Sequence, residues 1–101
     1  MAEGELISMP FIGFKKIANE YFATGTTKTY TIPQYSIGLI IVGNYGTANR
    51  TGMWIFTGLD NTIRFTQIIN DTSGVTLSAT DATTIRAVLP NYSDIILIIT
   101  Q

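Results

Sequence analysis

The sequence predicts an all-β fold: an antiparallel β-sandwich, jelly-roll-like, of about seven to eight short strands. Three observations carry this. Thr and Ile abound along the whole chain, and β-branched side chains favour extended backbone. Short apolar or alternating segments recur roughly every 8–12 residues between Gly, Pro, Asn and Asp, the spacing of sandwiches and barrels. Two further runs, Ser36–Asn44 and Asp94–Thr100, are almost unbroken aliphatic sequence. They are too short and too β-branched for anything but buried strands.

At 101 residues the chain forms one domain with a single core. Hydrophobic residues make up 46% and charged residues 13%. That charge content is about half the roughly 25% of ordinary soluble domains, so Thr, Ser, Asn and Gln must supply the polar surface. Six basic and seven acidic residues give a net charge of −1. Apart from the Lys15-Lys16 pair they are spread singly, so no basic stripe exists to neutralise phosphates and nucleic acid is not an expected partner. Cysteine and histidine are absent, which removes disulfides, thiolate metal sites and the commonest general base.

Residues 1–24 read as an entry segment or linker ahead of a head domain spanning residues 25–101. The N-terminus carries Glu3 and Glu5 rather than the basic region of a signal peptide. No window reaches the roughly 18 apolar residues that span a bilayer, so membrane insertion is not expected. Met9-Pro10-Phe11 and Gly13 favour an extended course. Lys15–Thr24 reads two ways. Phe14, Ile17, Ala18 and Tyr21 share one helical face and Lys16 stands four before Glu20. The segment is nevertheless short for a helix and suits an extended one equally.

From Gly25 onward the chain alternates strands and turns. Thr26–Ile32 places Tyr30 and Ile32 on one face and Thr29 and Thr31 on the other. Pro33 ends it, and Ser36–Asn44 follows as the central strand. Asn44–Gly52 is a loop by composition. Met53–Thr57 is a strand, and Asp60-Asn61 suits a tight turn. Thr62–Asn70, Val75–Ala79, Thr83–Leu89 and Asp94–Thr100 are the remaining strands.

The two aliphatic runs exceed what a sandwich strand needs, because one face of such a strand should be polar. In Ser36–Asn44, Ile37, Leu39 and Ile41 oppose Ile40 and Val42; in Asp94–Thr100, Ile95, Leu97 and Ile99 oppose Ile96 and Ile98. A row of that kind on an outer face implies either cover from the N-terminal segment or a subunit interface. The interface is the reading adopted here.

No catalytic constellation emerges. Asp60, Asp71, Asp81 and Asp94 fall in turns or at strand starts, where Asp usually caps a turn. No carboxylate spacing points to glycoside hydrolysis, no loop has the oxygen ligands of a calcium site, and no glycine pattern makes a phosphate cradle. No cofactor or metal is expected. Sequons at Asn49, Asn70 and Asn91 read as chance in a Thr-rich chain. The best binding candidate is the Asn44–Gly52 loop. Tyr45 offers a ring on which a sugar's apolar face can stack, and Asn49 and Arg50 offer directed hydrogen bonds. Trp54, a lone Trp in a strand, reads as core.

Three fragments, taken in order, carry a resemblance. They are Lys28-Thr-Tyr-Thr-Ile-Pro33 followed by Gly38-Leu-Ile-Ile-Val42; Gly52-Met-Trp-Ile-Phe56; and Leu89-Pro-Asn-Tyr-Ser-Asp-Ile-Ile-Leu-Ile-Ile99. Over residues 25–101 this order resembles the C-terminal head domains of phage tail fibres and other phage receptor-binding proteins, including prophage-borne ones. The chain departs from them in carrying no fibre shaft or coiled-coil repeat. The resemblance implies a compact β-sandwich, usually a homotrimer about the fibre axis, that binds a host surface glycan or protein. The expected protein is therefore a non-enzymatic virion adhesin head, made in the host cytoplasm. Its rivals are a virion decoration protein without a ligand and a small glycan-cleaving domain.

Overall fold

Strands whose apolar residues recur at every second position bury one face each, and pairing them satisfies the backbone groups that burial would otherwise orphan. The computed structural model of the protein describes residues 14–44, 50–90 and 92–100. Among the described residues there are eight strands: β1 (Phe14–Phe22), β2 (Thr26–Thr31), β3 (Ile37–Asn44), β4 (Arg50–Thr57), β5 (Arg64–Gln67), β6 (Thr76–Asp81), β7 (Thr84–Leu89) and β8 (Ser93–Thr100). Every pairing is antiparallel. A five-stranded sheet runs β1-β8-β3-β4-β5 and a three-stranded sheet runs β2-β7-β6. This is the predicted β-sandwich.

Two local expectations change. Lys15–Thr24, open between helix and extended course, takes the extended one in strand β1, which pairs along β8. An isolated ten-residue helix is marginal, whereas the edge of β8 offers a backbone partner to every second residue. A register shift between Lys16 and Ala18 makes a bulge at Ile17, so that Ile17 and Ala18, neighbours in sequence, both pack against the core. The expected division at residue 24 therefore falls between two strands of one sandwich. The second change is that Arg50, Thr51 and Gly52 belong to β4 rather than to a loop. They pair with Asn44, Gly43 and Val42.

The core lies between the sheets. Ile40 and Val42 of β3, Trp54 and Phe56 of β4, and Ile95, Leu97 and Ile99 of β8 face Tyr30 and Ile32, and Ile85, Ala87 and Leu89 of β7. Trp54 is buried as predicted. The face that β3 turns inward also carries Gly38, and the reason is steric. Gly38 sits opposite Phe56, and a Cβ there would collide with the Phe56 ring and the Ile98 carbonyl. Ile37, Leu39 and Ile41 consequently face outward.

At one side of the sandwich the edge strands of the two sheets are tied by side chains. The Tyr30 hydroxyl on β2 donates to Glu20 Oε1 on β1 at 2.7 Å, and Lys28 Nζ stands 3.6 Å from Glu20 Oε2.

Candidate functional site

Antiparallel strands place their connections at two opposite ends of the sandwich, and loops carried on a rigid scaffold are where binding groups concentrate. One end bears the connections β1–β2, β3–β4, β5–β6 and β7–β8. The other bears β2–β3, β4–β5 and β6–β7.

The first end holds the loop singled out from the sequence. Tyr45 and Asn49 lie outside the described residues. Arg50 is exposed and opens β4 opposite Asn44. The stem beneath it is fixed by buried polar groups. Asn44 Nδ2 donates to the Ser73 carbonyl at 2.6 Å, and the single hydroxyl hydrogen of Ser93 is shared between Asn44 Oδ1 at 3.0 Å and the Pro90 carbonyl at 2.8 Å. Ser93 and Ser73 are almost wholly buried, so these bonds answer groups that would otherwise be orphaned. On the other side of the stem, Thr72 N donates to the Thr51 carbonyl, and Thr51 N donates to Thr72 Oγ1, both at 3.0 Å. The β5–β6 connection thus braces both sides of the β3–β4 connection.

Sequence reasoning passed over Tyr92 at this end. It is exposed, with φ of 57°, and precedes Ser93. Ser93 pairs with Asn44, and Asn44 pairs with Arg50. Tyr92 and Arg50 therefore stand on neighbouring strand ends of β8, β3 and β4, on the order of 10 Å apart by strand spacing. The available signal was an aromatic residue in a Pro-Asn-Tyr-Ser turn, where a bulky side chain in left-handed backbone has no conformational reason to be.

At the second end a cleft of about 270 Å³ opens between the β4–β5 turn of the large sheet and the end of β6 in the small one. Asn61, Thr62, Ile63, Ala79, Thr80 and Asp81 line it. Two neighbouring turns hold it in shape. Gln34 Nε2 donates to Asn61 Oδ1 at 2.7 Å, and Asp81 Oδ1 accepts from Thr83 N at 2.8 Å and Thr83 Oγ1 at 3.0 Å. Asn61 has φ of 70°, a conformation that Asn tolerates better than most residues.

The turn carboxylates have structural partners. Arg64 Nη1 donates to both oxygens of Asp60, at 2.7 and 2.6 Å, and that hydrogen bond holds the Asp60 carboxyl below its ordinary range. The backbone N–H of Thr83, then its hydroxyl, do the same for Asp81. Asp71 Oδ1 accepts from Ser73 N at 2.8 Å and Ser73 Oγ at 2.5 Å. Among the described residues no three His, Cys, Asp or Glu side chains gather closely enough to hold a metal ion.

A third surface is the outer face of the large sheet. Leu39 and Ile41 of β3, Met53 and Ile55 of β4, and Ile96 and Ile98 of β8 form a contiguous aliphatic patch. Leu39 stands between Ile55 and Ile98, and Ile41 between Met53 and Ile96. Ile55 is 39% exposed and Ile37, at the margin, 37%. Lys16 and Asn19 on β1 pair with Ile98 and Ile96 on this face, and Thr66 and Arg64 on β5 pair with Ile55 and Thr57. Polar side chains thus rim the apolar centre.

No family model, curated protein or solved structure matches this chain.

Proposed function

We propose that this protein is a non-enzymatic attachment module, the receptor-binding head of a phage or prophage fibre, working as a homotrimer on the virion. The carrying observation is the outer face of the large sheet. An aliphatic patch with a polar rim of this kind supports the reading of an interaction surface.

Sheet dimensions accommodate three copies. Five strands span about 19 Å at ~4.8 Å per strand. Facing sheets stand about 10 Å apart, so three sheets about 5 Å from a common axis enclose a prism with sides of about 17 Å. The apolar strands β8, β3 and β4 then meet at the axis, and the polar edge strands β1 and β5 lie at the corners. In that arrangement the three copies present their loop ends together, and threefold repetition multiplies a weak contact through effective concentration. The structural partners of Asp60, Asp71 and Asp81 support the non-enzymatic part of the reading, since each serves a turn.

Light scattering on the purified protein, combined with cell-binding assays, tests this. The expected result is a mass of three times 11.1 kDa and saturable attachment to host cells without turnover of glycans. A monomer at micromolar concentration overturns the trimer; a trimer that attaches to no cell supports the decoration protein instead.

A further inference from the structure

The cleft between the β4–β5 turn and the end of β6 lies at the opposite end of the sandwich from the Arg50 loop, and its lining has the chemistry of a ligand site. We infer that it takes one ring of a neutral saccharide. The inference deepens the attachment reading by naming a ligand class, but it stands on the cleft alone and needs neither the trimer nor Arg50.

Four polar residues and two apolar ones line the cleft. The Asp81 carboxylate is a pure acceptor, and its bonds from Thr83 and Thr84 fix its direction. The Asn61 amide has its oxygen engaged by Gln34, which orients the Nδ2 hydrogens as donors; Nδ2 bonds nothing among the described residues. The Thr62 and Thr80 hydroxyls, likewise without partners among the described residues, can donate or accept. Ile63, 5% exposed, and half-buried Ala79 supply an apolar surface between them. An acceptor, a donor and two hydroxyls around a small apolar floor match a pyranose, whose hydroxyls each need both kinds of partner and whose C–H face needs apolar contact.

Size and charge narrow the class further. The volume of about 270 Å³ lies just below the roughly 300 Å³ at which pockets for drug-sized ligands begin, so it suits one ring rather than two. Asp81 is the charged residue of the lining. A carboxylate facing a carboxylate or phosphate ligand is repelled with no cation beside it to compensate. Acidic sugars and phosphates are therefore disfavoured. A divalent cation is disfavoured as well, because Asp81 is the lone carboxylate at the cleft.

The test is a titration of the ¹⁵N-labelled full chain with methyl glycosides of glucose, galactose, mannose and N-acetylglucosamine, with methyl glucuronide as the acidic control. The expected result is saturable movement of the Asn61, Thr62, Thr80 and Asp81 amide signals, and of the Asn61 side-chain amide, with at least one neutral glycoside and not with the glucuronide. Asn61→Asp removes the donor, keeps the oxygen that accepts from Gln34 and tolerates the left-handed position, and the affinity should fall about tenfold. Thr80→Val keeps the shape and strand preference and should weaken binding several-fold. Absence of saturable shifts with every neutral glycoside overturns the inference. So do equal shifts with the glucuronide, and so does unchanged affinity in both variants. Cell attachment is not read, so failure of the receptor-binding reading leaves this result standing on its own.

Discussion

The hydroxyl of Tyr30 donates to Glu20 across the gap between the two sheets, 2.7 Å from Oε1, and so links edge strand β2 to edge strand β1. Burial first, and the Glu20 hydrogen bond second, hold the phenol well above its ordinary pKa. The folded state therefore keeps a proton that the unfolded chain releases near pH 10. Stability from this group is complete below that pH. It is lost as pH climbs beyond it, by at most about tenfold in the folding constant per pH unit. Tyr30→Phe should cost about 0.5–1.5 kcal/mol at neutral pH and flatten this alkaline limb. Urea melts at pH 7, 10 and 11 measure both; an identical alkaline slope in the variant would place the titration elsewhere.

Gly38 and Gly43 lie on the same strand with opposite surroundings. A Cβ at Gly38 meets the Phe56 ring and the Ile98 backbone, whereas one at Gly43 meets nothing within 4 Å. Gly38→Ala should destabilise by about 1–3 kcal/mol or more through overpacking, and Gly43→Ala should stay within about 0.5 kcal/mol of the parent. Trp54→Ala, which empties part of the core, should cost about 3–5 kcal/mol. Thermal melts rank the three, and a tolerated Gly38→Ala would show that the sheets separate easily at that point.

Arg50 and Asn44 face each other across the β3–β4 pair yet should behave differently. Arg50→Ala removes an exposed side chain, so melting should stay within about 0.5 kcal/mol while attachment to cells declines. Asn44→Ala strips partners from buried Ser93 and from the Ser73 carbonyl, at a cost of about 1–3 kcal/mol. Normal attachment by Arg50→Ala would move the binding surface away from this loop.

Ile41 and Ile96 are cross-strand partners at the centre of the outer aliphatic face. Replacing both with Thr keeps strand preference and removes apolar contact. The double variant should keep its far-UV circular dichroism and sediment at 11.1 kDa. A variant that keeps the mass of the proposed trimer would show that the copies meet elsewhere.

Much of this architecture was legible in residue order, because period-two alternation is a local property. Tyr30 and Ile32 sit inside as their spacing predicts, Trp54 is core, and the runs in β3 and β8 are apolar on both faces. The polar stem of the β3–β4 connection was not legible, since Asn44, Ser73 and Ser93 are far apart in the chain and meet only through strand pairing. Tyr92 was hidden by its turn, and the cleft by the distance between Asn61 and Asp81.

By itself, then, the sequence determined the strand-forming segments, the turns between them and the surplus of apolar surface, since all three follow from side-chain type at neighbouring positions. Tertiary structure decided the rest. The ring of Phe56 needs the space over Gly38, and that choice of face sends Leu39 and Ile41 outward. The open edge of β8 drew Phe14–Phe22 into a strand, because backbone groups that find partners along a whole sheet edge outweigh a marginal helix. Pairing order brought the β4–β5 turn beside the end of β6, and only that juxtaposition makes a cleft of side chains that are individually ordinary.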